Sequence, residues 1–164
     1  MSTPPPAANF EALDECHQQI QAHLRDLDGL ARQLEQDDVD AHWKQRALAI
    51  DAFFSDIARQ HHAEEEKTVF PLVLKSGNEQ LVAAVQSLQQ DHGWIEIDWV
   101  ELSPQLLAIG TGTTWPGTTE FRNEVDVFIA LYRDHIALEE TLIYPESKAR
   151  WAQVVQARKL HPPR

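Results

Sequence analysis

The sequence predicts an all-α protein, an antiparallel up-down-up-down bundle of four long helices. Three observations predict it. Apolar residues recur at three- and four-residue steps along most of the chain, turn-forming residues gather at a few places between those stretches, and no segment alternates β-branched residues in period two.

Pro4, Pro5 and Pro6 mark an extended or disordered tail over residues 1–8, ending at Asn9, a good N-cap. From there Phe10, Leu13, Ile20, Leu24, Leu27, Leu30 and Leu34 keep the helical period. The polar run from Gln36 to Asp40 is a short turn. A second helix is expected over 41–75, carrying Leu48, Phe53, Phe54, Ile57 and Val69, and Lys75 to Asn78 breaks and recaps the chain. The third helix runs from about Glu79 to Leu107 through Leu81, Val85, Leu88, Ile95, Trp99 and Leu102. Gly110 to Gly117 reads as the one loop of any length. The fourth helix starts near Thr118 or Thr119 and carries Phe121, Val125, Phe128, Leu131, Leu138 and Leu142. Short connections between long helices make consecutive helices antiparallel neighbours. The 164 residues suit one core and not two. The expected division is a tail at 1–8, the bundle at 9–146 and an extension at 147–164 that is helical in part.

Composition narrows the function. The chain is 43% hydrophobic and 24% charged, with a formal charge of −12 and no basic stripe. Such a surface repels nucleic acid and anionic membrane. One cysteine, Cys16, excludes an internal disulfide and an all-cysteine metal cage. The start of the chain has neither the basic nor the apolar region of a secretory signal, and no stretch approaches the ~20 apolar residues of a membrane span. The expected location is cytoplasmic, as a monomer or homodimer.

An internal repeat singles out polar residues on apolar faces. The second helix contains His61, Glu65, Glu66, Phe70 and Pro71; the fourth contains His135, Glu139, Glu140, Tyr144 and Pro145, each 74 positions later. His17 and His92, 75 apart, sit on matching leucine-lined faces of the first and third helices. Counting back from the proline aligns His61, not His62, with His135. Neighbouring helical residues point about 100° apart, so His62 is expected outside. A residue and its fourth successor share a face. His61 with Glu65 and His135 with Glu139 can therefore each present an imidazole and a carboxylate inward, joined by His17 and His92. Imidazole-rich sites with carboxylate bridges suit iron, manganese or zinc. Burying the two glutamates without a cation would cost several kcal/mol per charge.

This ordered set closely resembles the hemerythrin-like family, also called the HHE cation-binding domain, over roughly residues 10 to 146. The family pattern is a histidine in helix one, His-x-x-x-Glu in helix two, a histidine in helix three and His-x-x-x-Glu in helix four. The endings from Glu65 to Pro71 and from Glu139 to Pro145 look like the family's helix exits. The resemblance implies a non-haem di-iron centre with an oxo or hydroxo bridge, zinc or manganese being the other ions the donors suit. Its ligands would be His17, His61, Glu65, His92, His135 and Glu139. Oxygen-carrying members have a second histidine four residues after the one in helix three; here that position is Glu96. Glu96 is either a further ligand or a carboxylate facing solvent beside Asp98.

A hydrogen-bonded or solvated role suits His23, His42, His62 and His161, which lack a counterpart in the other half. Glu66 and Glu140 suit solvent or the orientation of a ligand imidazole. Cys16 reads as a passive thiol, and Trp94, Trp99 and Tyr132 as core or as the lining of a dry pocket near the ions. Ferritin-like oxidases use Glu-x-x-His on two helices, which is not the arrangement here. The leading expectation is a protein that binds or senses dioxygen, a related small ligand or iron itself. The alternative is an enzyme or repair factor acting on peroxide, nitric oxide or damaged iron centres.

Overall fold

The computed structural model describes residues 6–113 and 117–162. Among these the structure is helical, without a strand, and no helix is long and apolar enough to cross a membrane. Most of the expected proline tail, and Thr114 to Pro116 of the expected loop, lie outside the described residues.

The first helix is Phe10–Gln36. Asn9 caps it, its side chain accepting from the Ala12 N–H at 3.1 Å. The second begins after Asp40, whose carboxylate accepts from Trp43 N–H at 3.0 Å. It is built from Ala41–Ser55, Ile57–Glu64, a π-helical turn Glu65–Val69 and Phe70–Leu74. Asn78 caps the third helix, Glu79–Thr111, by accepting from both Gln80 and Leu81 N–H groups. That helix passes the expected end at Leu107 and stops at Gly112, whose left-handed φ of 74° suits glycine. Gly110 lies inside it because a Cβ there would fall 2.5 Å from the Leu48 side chain. The fourth helix is Thr118–Leu138, a second π-helical turn Glu139–Ile143, and Tyr144–Leu160.

Pro71 and Pro145 are therefore not helix exits. Proline has no N–H and its ring crowds the carbonyl four residues back. Before each one the turn widens: the Phe70 N–H bonds Glu65 O, and the Tyr144 N–H bonds Glu139 O, each five residues back. The helix then continues past the proline, for a full 17 residues in Tyr144–Leu160.

The first helix packs on the second and fourth, and the third packs on the same two. Two apolar clusters result. One holds Ile20, Leu24, Phe53, Phe54, Trp99, Phe128, Tyr132 and Ile136. The other holds Leu13, Val69, Phe70, Val73, Leu88, Ile143 and Tyr144. Each helix crosses from one cluster to the other at a polar residue: His17 between Leu13 and Ile20, His92 between Leu88 and Ile95, His61 and Glu65 between Ala58 and Val69, Glu139 between Ile136 and Ile143. The bundle's interior is apolar at both ends of this layer and polar within it.

Candidate metal centre

His17, His61, Glu65, His135 and Glu139 are all buried, and His92 is nearly so. Glu65 stands at the middle. Its Oε1 lies 2.8 Å from His61 Nε2 and 3.4 Å from His17 Nε2, while Oε2 lies 3.1 Å from His92 Nε2. Glu139 Oε1 lies 3.0 Å from His135 Nε2 and 3.5 Å from His17 Nε2. The cluster thus has two carboxylates between two groups of imidazoles. The repeat-selected residues of all four helices meet at one place.

The outward nitrogens are held by carboxylates. Nδ1 of His17 faces Glu140 at 3.0 Å, Nδ1 of His92 faces Glu66 at 2.9 Å, and Nδ1 of His135 faces Asp91 at 3.3 Å. An imidazole donating from Nδ1 leaves Nε2 turned inward as a lone pair. Glu66 and Glu140 each reach a histidine of the other half. Asp91 was not singled out by the sequence, because its partner lies on another helix, 44 residues away.

A cation fits what remains. His61 Nε2, His135 Nε2 and both oxygens of Glu139 are buried without a hydrogen-bond partner. The imidazole–carboxylate approaches of 2.8 and 3.0 Å lack the angles of a hydrogen bond. Buried polar atoms are normally paired, and lone pairs converging on common space are what a metal ion satisfies. One ligand atom each from His17, His61 and Glu65 lie within 4.8 Å of one another, and so do atoms from His62, Glu65, His92 and His135. Nitrogen and carboxylate donors in this mixture suit iron, manganese or zinc.

The carboxylates favour the protonated form of two of these imidazoles. Burial lowers the His17 pKa, but the adjoining Glu139 and Glu65 carboxylates outweigh it and lift the value to about 10. Burial likewise opposes His135, which Asp91 and Glu139 raise to about 9. Glu65 is held well below the carboxylate range: burial raises it, and the imidazoles of His17, His61 and His92 beside it win. Tyr144 donates its hydroxyl to Glu65 and sits 3.1 Å from His17 Nε2. Its phenol is pushed up by burial and by the nearby Glu65 and Glu139 carboxylates. Cys16 is half-buried beside this layer, and burial, with the Glu65 charge, lifts its thiol to about 11.

Of two further residues, Glu96 takes the solvent-facing alternative and His62 stands elsewhere than expected. Glu96 is exposed and bound to the Arg59 guanidinium, Nε donating to Oε2 at 3.0 Å. The structure does not bring it to the cluster; a surface arginine 37 residues earlier claims it. The placement of His62 outside is overturned. Its ring stacks on His92 with centroids 4.1 Å apart, and its Nε2 meets the Tyr132 hydroxyl at 3.1 Å. Burial, and then the neighbouring His92, hold its pKa well below the usual histidine range. A core-facing helix buries an arc of 100° or more, so His61 and His62 can flank the inward direction together.

Residues 8–147 match the family model described as the hemerythrin HHE cation binding domain. A protein of Haemophilus influenzae described only as uncharacterized is 29% identical over 143 residues, covering 81% of this chain and 75% of the relative. No solved structure matches the chain. With the histidine–glutamate layer in place and the match spanning all four helices, the chain belongs to the hemerythrin HHE cation-binding domain family.

Proposed function

We propose that this layer holds two iron ions and that the protein binds or senses dioxygen or a related small ligand at them. The observation that carries the reading is Glu65. It is fully buried, with one oxygen toward His17 and His61 and the other toward His92. A carboxylate facing two groups of imidazoles would bridge two ions. His17 and His61 would hold one, His92 and His135 the other, with Glu139 beside Glu65 as a second bridge. A bound ferrous pair supplies electrons to a small ligand; the protein supplies fixed imidazoles, charge balance and dry surroundings. Phe54, Trp99, Phe128 and Tyr132 line a cavity of about 10 Å³ next to His62, room for roughly one water-sized occupant. An up-down-up-down antiparallel bundle is supported by the contacts between helices. Asp26 meets Arg46 while His17 meets Glu65, and Ser103 meets Asp51 while His92 meets Glu66.

Anaerobic reconstitution with ferrous iron tests the reading. Two ions per chain are expected, followed on admission of oxygen by a visible absorption band that persists and reverses when oxygen is removed. Rapid loss of the band with consumption of peroxide or nitric oxide would point to the enzyme alternative. One ion or none per chain, with His61→Ala changing nothing, would sink the di-iron assignment.

A further inference from the structure

In the 74-residue register of the repeat, His62 corresponds to Ile136 and Tyr132 to Ala58. Ile136 and Ala58 are both buried core residues. His62 therefore occupies an inward slot that its twin fills with hydrocarbon, and Tyr132 carries a hydroxyl-bearing ring where its twin carries a methyl group. These two departures from symmetry meet each other, the hydroxyl lying 3.1 Å from His62 Nε2. A polar ring in an apolar slot is unfavourable unless partnered, and the Tyr132 hydroxyl partners one of its two nitrogens. The geometry around the ring is that of a donor set. His62 is stacked on His92 at 18° between planes, and its centroid lies 5.7 Å from that of His135. Ligand atoms of His62, Glu65, His92 and His135 gather within 4.8 Å. Three imidazoles and a carboxylate oxygen form a nitrogen-rich set for a first-row ion.

We propose that His62 is a metal ligand, completing a three-histidine, one-carboxylate set with His92, His135 and Glu65, and that Tyr132 is the positioning residue that holds its ring. The proposal rests on the reading of this layer as a metal centre. It makes the two ions unlike: one is served by the imidazoles of His17 and His61, the other by three. The asymmetry comes from the second helix, not from Glu96 on the third.

The test titrates metal-free protein anaerobically with ferrous iron, and separately with cobalt(II) as a spectroscopic probe. Wild type is expected to take two ions. His62→Gly should keep one tight ion and weaken the second about tenfold or more, and added imidazole should restore the second, which a packing role would not produce. Tyr132→Phe should change the cobalt spectrum of the second ion and weaken its binding by about tenfold. If His62→Gly fails to fold, His62→Gln, which keeps a hydrogen-bonding group beside Tyr132 but offers no imidazole, carries the same expectation. Two ions bound by His62→Gly or His62→Gln with wild-type affinity and spectrum overturn the role of His62 while the di-iron reading stands. Wild type binding no ion overturns both.

Discussion

Tyr144 shows how one hydroxyl divides the halves of the centre. It donates to Glu65, whereas its twin Phe70 offers Glu139 nothing. Tyr144→Phe in metal-free protein should cost about 1.5–3 kcal/mol, the range for a hydrogen bond to a charged group, measured by urea unfolding. The carboxylates behind the imidazoles make a second expectation. Glu66→Gln, Glu140→Gln and Asp91→Asn should each lower metal affinity about 10- to 100-fold by loosening ring orientation, measured by chelator competition. Protonation gives a third. With pKa values of about 10 and 9, His17 and His135 are charged at pH 7 in metal-free protein. Ligation needs them neutral, so metal uptake should release on the order of two protons per chain, seen by calorimetry in buffers of different ionisation enthalpy. The same shifts fix the sign for folding. Both values are raised above the unfolded 6.5, so this stabilisation is complete below pH 6.5 and is lost as pH rises toward 9 and 10. Thermal melts of metal-free protein should fall across that window. At this scale the repeat made four histidines and two glutamates legible. Glu96 and Asp91 were not, since their partners lie on other helices and a single helix's spacing cannot show them. His62 is not legible from the repeat, because the inward side of a helix is an arc and not a line.

At the scale of elements, the helix starts were readable because capping is local. Asn9, Asp40 and Asn78 each accept from a backbone N–H within three residues. Asn78→Ala should cost about 1 kcal/mol by thermal melt, since its side chain serves two N–H groups. The ends were less readable. Gly112 stops the third helix by its backbone conformation, while Gly110, just before it, is present for the close approach of Leu48. Both look like breakers in sequence. The π-turns had a visible signal, a proline six residues after each inward glutamate. A missing N–H, however, tells only that bonding changes there. Whether the helix ends or widens depends on whether the residues beyond the proline find a surface to pack against. Ser147, buried and bonded to the Val69 carbonyl at 2.9 Å, shows the fourth helix anchored past its proline against the second.

The whole molecule places its polar layer between two apolar clusters, so ordering of the layer depends on both ends of the bundle. Orientation also crosses between halves: Glu66 of the first half holds His92 of the second, and Glu140 of the second holds His17 of the first. The Nδ1 atoms of His17 and His92, each on the leading helix of its half, are both held by a carboxylate of the other half. A chain cut between Gly77 and Asn78 should therefore bind metal tightly only when both pieces are mixed, a complementation measurable by metal uptake and far-UV circular dichroism.

That exchange carries a meaning for ancestry. Each half gives the other the carboxylate that the other gives back, which is the relation between two copies across a two-fold axis. A single helical hairpin bearing one histidine and one His-x-x-x-Glu-Glu run would satisfy it by pairing with itself. Duplication and fusion of such a hairpin would then free the copies to diverge, and His62, Tyr132 and Tyr144 are positions where this chain's halves differ.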